Sequence, residues 1–465
     1  MGVCYQPHCA LAIPAAAAYD GGRVAHSLVL PTWTVLPFVL LLLAIAILPL
    51  ALPHFWESNR NKGIVAALLA LPVALYLVAA HGAAGVHELI EKAKEYVSFI
   101  LLLASLFVVT GGIYVRGSLA GTPLVNTGVL GLGALLASWI GTTGASVLLI
   151  RPLLRANATR QRKAHIVVFF IFVVSNCGGL LTPLGDPPLF LGFLKGVPFG
   201  WTFRLWPGWL LVNGLLLVIF NVWDQRVLAR EERERPGSQL EALLEHEPLG
   251  IEGAANFAFL AAIVGVIFAS GSGLGNAGAP WPFGVQEGLM LLVTLLAYAT
   301  TPGRIRARNA FGFGPIIEVA VLFAGIFVTM APALLLLNAN AKHFGLSEPW
   351  QFFWAAGLLS SFLDNAPTYL TFAATACGLD SIALEGRYLA QYLALGPKAA
   401  ETLAAISVGA VFMGANTYIG NGPNFMVKAI AEEGGVRMPS FFGYMAYSGG
   451  VLIPLFVLAT LLFFR

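Results

Sequence analysis

The sequence predicts an all-α polytopic membrane protein built as an inverted repeat, and three observations lead to that fold class. Of the 465 residues, 58% are hydrophobic and only 11% are charged, a balance typical of chains that cross a bilayer several times. Apolar runs of about 20 residues, the length that spans the hydrocarbon core, recur from residue 34 to residue 463. Polar interruptions of these runs occur in the same order in both halves of the chain.

Ten apolar runs are predicted to cross the membrane, and two further stretches have a polar centre that contains Gly or Pro. The stretches 122–150 and 350–376 are too long for one plain helix, so we predict two re-entrant helical hairpins. The alternative for each is a single long, tilted helix with a kink. The predicted crossing segments are 34–52, 64–80, 97–114, 164–194, 205–222, 254–271, 287–301, 316–338, 403–430 and 441–463.

The basic residues support this topology, because short cytoplasmic loops carry an excess of Lys and Arg. If both hairpins are re-entrant, the basic cluster at 151–163 and the triplet at 304–308 fall on the cytoplasmic side. Each half then has five crossing helices, one of them broken, and an odd number of crossings makes the second half inverted. The predicted domains are an N-terminal extension at 1–33, a first repeat at 34–222, a cytoplasmic linker at 223–253 that forms a solvated helix, and a second repeat at 254–465.

The two halves align at their polar centres with nearly constant separation, which favours an internal repeat over chance similarity. The aligned pairs are Ser138 with Ser360, Thr142 with Asp364, Thr143 with Asn365, Ser146 with Thr368, Gly179 with Gly414, Thr182 with Thr417, Gly185 with Gly420, and Asp186 with Asn421.

Two aspartates, Asp186 and Asp364, lie inside apolar segments with no Lys or Arg close in sequence. A carboxylate at bilayer depth costs about 3 kcal/mol on insertion scales, so such an acid indicates function. Pro and Gly beside both acids break helices and free backbone groups to face a cavity. Inverted repeats with such broken helices are typical of secondary transporters, whose site lies between the halves.

The residue types at the breaks predict a cation site, since hard cations prefer oxygen ligands and a buried carboxylate can exchange a cation for a proton. We therefore expect a sodium site at Asp186 and Asp364. For the Asn and Thr residues, capping of open helix ends is an equally good interpretation. The candidate ligands are Asn176, Thr182, Asp186, Asp364, Asn365, Thr368, Asn416, Thr417, Asn421 and Asn424, and the tip of the first hairpin contributes Thr142, Thr143 and Ser146.

Several other classes of function lack support in the sequence. The net charge of +3 is too small and too scattered for nucleic-acid binding. The four cysteines show no metal-ligand spacing, and no motif of a hydrolase or ATP-driven pump is present, so we expect neither an enzyme nor a resident cofactor. Among other titratable residues, Glu318 follows soon after the Arg triplet at 304–308, and we expect it to be a snorkelling or ion-paired acid. We expect Glu287 and His165 to be solvated at span ends.

Two motifs resemble a known family. The segment 175–188, Ser-Asn-Cys-Gly-Gly-Leu-Leu-Thr-Pro-Leu-Gly-Asp-Pro-Pro, resembles the Asn-x-Gly-Gly-x-x-[Ser/Thr]-Pro-[Ile/Leu]-Gly-Asp signature of the ion transporter superfamily, in its branch of NhaD-type sodium/proton antiporters and arsenite permeases. Residues 363–368, Leu-Asp-Asn-Ala-Pro-Thr, resemble the hairpin motif of that branch. The chain is also similar to a subgroup labelled as citrate transporters. The resemblance implies a scaffold and a mobile transport region in each protomer, a homodimer, and elevator-like movement.

The residues at the hairpin tips help to decide which substrate the sequence predicts. Dicarboxylate relatives use Ser-Asn-Thr at both tips, and neither tip here has that sequence. An anion would also be repelled by two unpaired carboxylates unless sodium neutralised them. The sequence therefore favours a sodium (or lithium)/proton antiporter in a bacterial-type inner membrane. The alternatives are a sodium-coupled citrate or dicarboxylate carrier and, from another class, a channel or a non-transporting membrane scaffold.

Overall fold

The structure is a computed structural model that describes residues 30–117, 119–237 and 250–465. Within these ranges the chain is mostly helical, and eight helices are long and apolar enough to cross a membrane by length and composition. The prediction of an all-α polytopic membrane protein is therefore confirmed. Most of the predicted N-terminal extension, residues 1–29, lies outside the described residues.

The elements of the first half follow the predicted order of crossing helices, hairpin, broken helix and final crossing helix. In chain order they are α1 (Leu36–Ala51), α2 (Pro53–Trp56), α3 (Asn59–Thr110), β1 (Tyr114–Arg116), α4 (Pro123–Ile140), α5 (Thr142–Ala156), α6 (Ala164–Val173), α7 (Pro187–Leu194) and α8 (Trp206–Glu234).

The second half repeats that order after a short strand. Its elements are β2 (Gly250–Glu252), α9 (Ala255–Ser272), α10 (Val285–Thr300), α11 (Gly303–Arg308), α12 (Gly314–Ala339), α13 (Pro349–Ser360), α14 (Asn365–Leu379), α15 (Tyr388–Ala394), α16 (Pro397–Met413), α17 (Gly422–Glu433) and α18 (Phe441–Phe463).

Two predicted crossing segments, 64–80 and most of 97–114, fall within Asn59–Thr110, the range of α3, which consists of two helices that meet at a kink. The only non-helical residue inside it is Gly82, with φ 55° and ψ −126°, a backbone region that glycine tolerates best. The polar stretch that follows stays helical because charges one turn apart pair along it: Lys92 with Glu88 at 3.7 Å and Lys94 with Glu91 at 2.6 Å. The sequence pattern marked the two spans but not the kink at Gly82 or the helical residues that follow it.

Both interrupted stretches are hairpins, as predicted, and not kinked single helices. In the first, α4 and α5 pack against each other and turn at Gly141, where φ is 79°. Asn126 and Asn157, near the two open ends, exchange side-chain hydrogen bonds of 3.0 and 2.8 Å. In the second, α13 packs against α14. Asn338, at the end of α12, donates to the carbonyl of Ala374 in the far arm of this hairpin and to that of Ile382 just beyond the arm, both at 3.0 Å.

The segment predicted as a solvated linker helix differs from that expectation. Helix α8 continues from the membrane to Glu234, and its face formed by Asp224, Leu228 and Glu231 is buried. These residues are spaced at i, i+4 and i+7, which is one face of a helix. After residues outside the described part, β2 pairs antiparallel with β1, a strand pair that the sequence analysis did not predict.

A buried charged cluster explains why that face of α8 is covered. Arg160 donates to Asp224 at 2.8 Å and to Glu231 at 2.7 Å, and Asp224 also accepts from Asn126 of the first hairpin at 2.9 Å. His165 lies 2.9 Å from Asp224 and is buried, so the expectation that it is solvated was wrong. The partners come from distant parts of the chain, which sequence spacing cannot reveal.

Two glutamates show how the halves are tied together. Glu318 on α12 pairs with Lys62 on α3 at 2.7 Å, so of the two expectations for this acid the ion pair is the one observed, with a partner from the other half of the chain. Glu287 is only 8% exposed and was wrongly expected to be solvated. It caps the start of α10 by accepting from the Gly284 N–H at 2.8 Å, and it accepts from Ser98 of α3 at 2.5 Å.

Near the polar breaks, the hairpin of each half packs against the broken helix of the other half. Helix α5 of the first hairpin packs against α17 of the second half, and α14 of the second hairpin packs against α7 of the first half. Each hairpin therefore contacts the broken helix of the other half. This arrangement brings both hairpin turns and both helix breaks to one place.

Candidate functional site

The two broken helices restart in the same way. In the first half, a 3-10 turn at Cys177–Leu180 follows α6, and Asp186 occupies the N-cap of α7 with φ −145° and ψ 145°. In the second half, a 3-10 turn at Gly414–Asn416 follows α16, and Asn421 occupies the N-cap of α17 with φ −153° and ψ 140°. The alignment of Asp186 with Asn421 is thus reproduced in the backbone.

Two predicted ligands, Thr182 and Thr417, support the breaks in equivalent ways. The Thr182 hydroxyl donates to the carbonyl of Ser138 and accepts from the Leu184 N–H at 3.1 Å. The Thr417 hydroxyl donates to the carbonyl of Ser361 at 2.5 Å and accepts from the Ile419 N–H at 3.2 Å. Neither hydroxyl hydrogen-bonds to Asp186. Their geometry matches the capping interpretation that the sequence left open.

Gly185 allows the first break to close on itself, and its replacement by Ala is predicted to disrupt the site. A Cβ atom there would lie 2.1 Å from the Gly179 carbonyl oxygen, and the backbone on both sides cannot move without displacing Asp186. The matched control is Gly214→Ala in α8, where a Cβ atom meets nothing within 4 Å and Ala favours the helix by up to about 1 kcal/mol. Thermal unfolding in detergent should show a clear loss for Gly185→Ala and none for the control. Equal stabilities would contradict the packing argument.

Asp186 is the centre of the assembled site. Its Oδ1 accepts from the Thr142 hydroxyl at 2.8 Å and from Asn421 Nδ2 at 3.2 Å, and its Oδ2 accepts from Asn365 Nδ2. The four residues come from the two hairpin turns and the two N-caps, and Asp186 is 1% exposed. In the described ranges no Lys, Arg or His forms an ion pair with it.

Behind Asp186 lies a second layer of amides and hydroxyls. Asn421 also donates to Asn176 Oδ1 at 3.2 Å, and Asn176 donates to Asn424 Oδ1 at 2.7 Å. The hydroxyls of Ser146 and Ser175 share a 2.8 Å hydrogen bond. Asn176, Asn421, Asn424 and Ser146 were predicted here from the sequence, but Ser175 was not. Its position directly before Asn176 in the first motif was the available signal.

The sequence analysis expected Asp364 to share a site with Asp186, but the structure places its side chain at the start of α14. Its side chain caps α14 by accepting from the Ala366 N–H at 3.0 Å, and its carbonyl accepts from the Thr368 hydroxyl at 2.9 Å. It is half-buried and does not hydrogen-bond to Asp186. The neighbouring Asn365 reaches Asp186 instead, while Thr143 at the other tip is half-buried.

The site is a buried cluster of amide and hydroxyl groups around one carboxylate, and no Lys, Arg or His among the described residues pairs with that carboxylate. Two buried amide oxygens, Asn365 Oδ1 and Asn416 Oδ1, have no hydrogen-bond partner among the described residues. Such acceptors are normally satisfied. Asn365 Oδ1 belongs to the amide that donates to Asp186, so an unpaired oxygen of the kind that a hard cation binds lies next to that carboxylate. Asn416 donates to the Ser361 hydroxyl at 2.9 Å and has no hydrogen bond to Asp186. The part of the chain that the structure describes has no group of three or more His, Cys, Asp and Glu that could hold a metal ion.

Comparison with known proteins gives one match. Residues 27–464 match the model of a family described as "putative citrate transport". No curated protein matches the chain.

Proposed function

The chain belongs to the family described as "putative citrate transport" and is a multi-pass membrane transporter. On this basis we propose that it exchanges sodium or lithium for protons at Asp186. The exchange would use one buried carboxylate, which binds either a cation or a proton. The coupling ion is thus the transported sodium or lithium, and no resident cofactor takes part.

The observation that carries this proposal is the charge of the site. Asp186 is buried and has three neutral hydrogen-bond donors, which favour the ionised form but leave its negative charge uncompensated. A buried charge without a counter-charge is strongly unfavourable. A bound cation or a proton removes that cost, so the two compete for the same carboxylate.

The motif resemblance supports placing the protein near the NhaD-type antiporters within the ion transporter superfamily. The same resemblance supports a homodimer in a bacterial-type inner membrane, with residues 34–222 and 254–465 as the two repeats and the hairpins as parts of a moving transport region.

A sodium-coupled citrate carrier is the second candidate, and the family description favours it. In that case the same carboxylate would hold the coupling sodium, and citrate would bind beside it. The candidate site, however, offers no Lys or Arg side chain among the described residues to compensate the carboxylates of citrate, which is why we place cation exchange first.

The experiment is a substrate screen with purified protein in liposomes that contain a pH-sensitive dye. Sodium, lithium and potassium gradients are compared, and uptake of labelled citrate and of arsenite is measured in parallel. We expect sodium or lithium to drive protons in the opposite direction and labelled citrate to stay outside. Sodium-dependent citrate uptake would favour the second candidate, and a steady conductance without proton coupling would indicate a channel.

A further inference from the structure

A buried ion pair joins the far end of the first broken helix to α3. Lys195, the C-cap of α7, donates from Nζ to Glu95 Oε1 of α3, and the two side chains are 8% and 15% exposed. The carbonyl of Lys195 accepts from the Leu389 N–H at 3.1 Å, and its Nζ lies 5.4 Å from the centre of the Tyr388 ring. With the predicted topology, these residues are on the outer side of the membrane, opposite the basic cluster at 151–163.

The two partners of this ion pair belong to different groups of helices. The residues that follow Glu95 fasten α3 to the second half. The Tyr96 hydroxyl donates to the Ala320 carbonyl of α12 at 2.8 Å, and the Ser98 hydroxyl donates to Glu287 of α10 at 2.5 Å. Helix α7 instead packs against α14 of the second hairpin and α16 of the second broken helix. The ion pair therefore lies between the group formed by α3, α10 and α12 and the hairpins and broken helices that form the candidate site.

Helix α7 connects the ion pair directly to the candidate site. Asp186 is its N-cap and Lys195 its C-cap, and the eight helical residues between them span about 12 Å. Because backbone hydrogen bonds make such a helix move as one piece, a displacement of Lys195 from α3 is passed on to Asp186. Among the described residues, no other ion pair joins α3, α10 or α12 to a hairpin or a broken helix.

The charges around the ion pair allow it to open and close. Lys92 on α3 lies 3.4 Å from Glu95 and 3.7 Å from Glu88, so two lysines share one glutamate. A buried ion pair has given up the hydration of both ions, and the ions regain that hydration when they separate into water. An apolar contact in the same place would be separated against the hydrophobic effect. Replacement of a buried ion pair by apolar residues therefore often stabilises the closed arrangement.

We propose that Glu95 and Lys195 form an outer gate, a reversible contact that closes α7 against α3 in this structure and opens when the hairpins and broken helices move. This inference rests on the moving transport region of the proposed function, and it does not depend on which ion or substrate is carried. Lys92 supports the opening, because it keeps Glu95 paired when Lys195 leaves for water.

The test is a distance measurement by pulsed electron paramagnetic resonance between two nitroxide labels on the purified full chain in detergent. The labels are attached to cysteines introduced at His87 on α3 and at Lys398 on α16, which are both exposed. The four native cysteines are replaced by Ala in this parent protein. Since α16 packs against α7, the distance reports the position of α7 relative to α3.

Two substitutions should change the distance distribution in opposite directions. In Glu95→Gln, Lys195 and Lys92 lose their shared carboxylate and repel each other, so we expect the population at longer distance to rise several-fold over the parent protein. In the double variant Glu95→Leu/Lys195→Leu the contact becomes apolar, and we expect that population to fall. An unchanged distribution in Glu95→Gln would overturn the gate. If Glu95→Gln does not fold, a double variant with more of the longer distance than the parent protein overturns it.

The matched control is Glu91→Gln, on the same helix one turn before Glu95. Glu91 pairs with Lys94 at 2.6 Å, and both side chains are exposed. This variant removes a carboxylate of the same type without touching the contact with α7, so it should keep the distribution of the parent protein.

The distances are measured without an ion gradient, which separates this inference from the proposed function. A protein that shows the expected shifts but exchanges no cation would retain the gate and lose the proposed function. Unchanged distances in a protein that exchanges sodium for protons would remove the gate alone.

Discussion

Replacement of Asp186 by Asn is expected to abolish sodium-driven proton movement, to the level of liposomes without protein. The substitution keeps the shape of the side chain but removes the carboxylate that accepts hydrogen bonds from both hairpin turns and from the second break. The new amide would also direct an N–H group toward Asn421 or Asn365, and an unsatisfied buried donor costs about 1–3 kcal/mol. The measurement is the dye response in liposomes after a sodium pulse, with the folded yield checked in detergent.

Asp364→Asn is the matched comparison, because it removes the other intramembrane acid. Asp364 caps α14, and Asn caps helices as well as Asp does. We therefore expect this variant to fold normally and to retain measurable exchange. Equal and complete loss in both variants would show that the acids act as a pair, and the assignment to a single carboxylate would have to be abandoned.

Replacement of Arg160 by Met is expected to produce the largest loss of stability. The side chain of Arg160 is 1% exposed and neutralises Asp224 and Glu231, which are 0% and 6% exposed. Without Arg160, Glu231 loses its ion-pair partner and Asp224 keeps only His165, and removal of one partner of a buried ion pair typically costs about 3–5 kcal/mol. Thermal unfolding in detergent should show a large decrease in Tm or failure to fold.

Arg162→Met provides the control at nearly the same place in the chain. Its guanidinium pairs with Glu234 at 2.9 Å but is 47% exposed, and exposed ion pairs contribute about 0–1 kcal/mol. This variant should unfold within a few degrees of the wild type. If Arg160→Met were as stable as Arg162→Met, the buried cluster would not be the support that its geometry indicates.

The fold and the approximate place of the site could be predicted from sequence because both follow from local patterns. Apolar length marked the crossing segments, and Gly and Pro marked the breaks. The order of polar interruptions paired Asp186 with Asn421, and the same N-cap backbone at both positions confirms that pairing. These features depend on neighbours in the chain, so one sequence is enough to reveal them.

Local sequence patterns could not predict which way individual side chains point or which residues they contact. Asp364 and Asn365 are adjacent, and their order in the motif does not say which one reaches Asp186. The structure decides it through the helix start, since Asp364 uses its carboxylate to cap α14 and Asn365 begins the helix. His165 and Glu287 were misjudged for a related reason, because their partners Asp224 and Ser98 lie far away in the sequence.

The equivalent roles of Thr182 and Thr417 suggest how the two halves of a duplicated gene can come to differ at the N-cap residue while their backbones stay alike. Each threonine closes the break of its own half against the hairpin of the same half. The backbone of one copy is therefore held without help from the residue at its N-cap. Mutation could turn an aspartate into an asparagine in one copy, or the reverse, while both loops keep their shape. Duplicated halves with this construction can come to differ in charge at this position without rebuilding either copy.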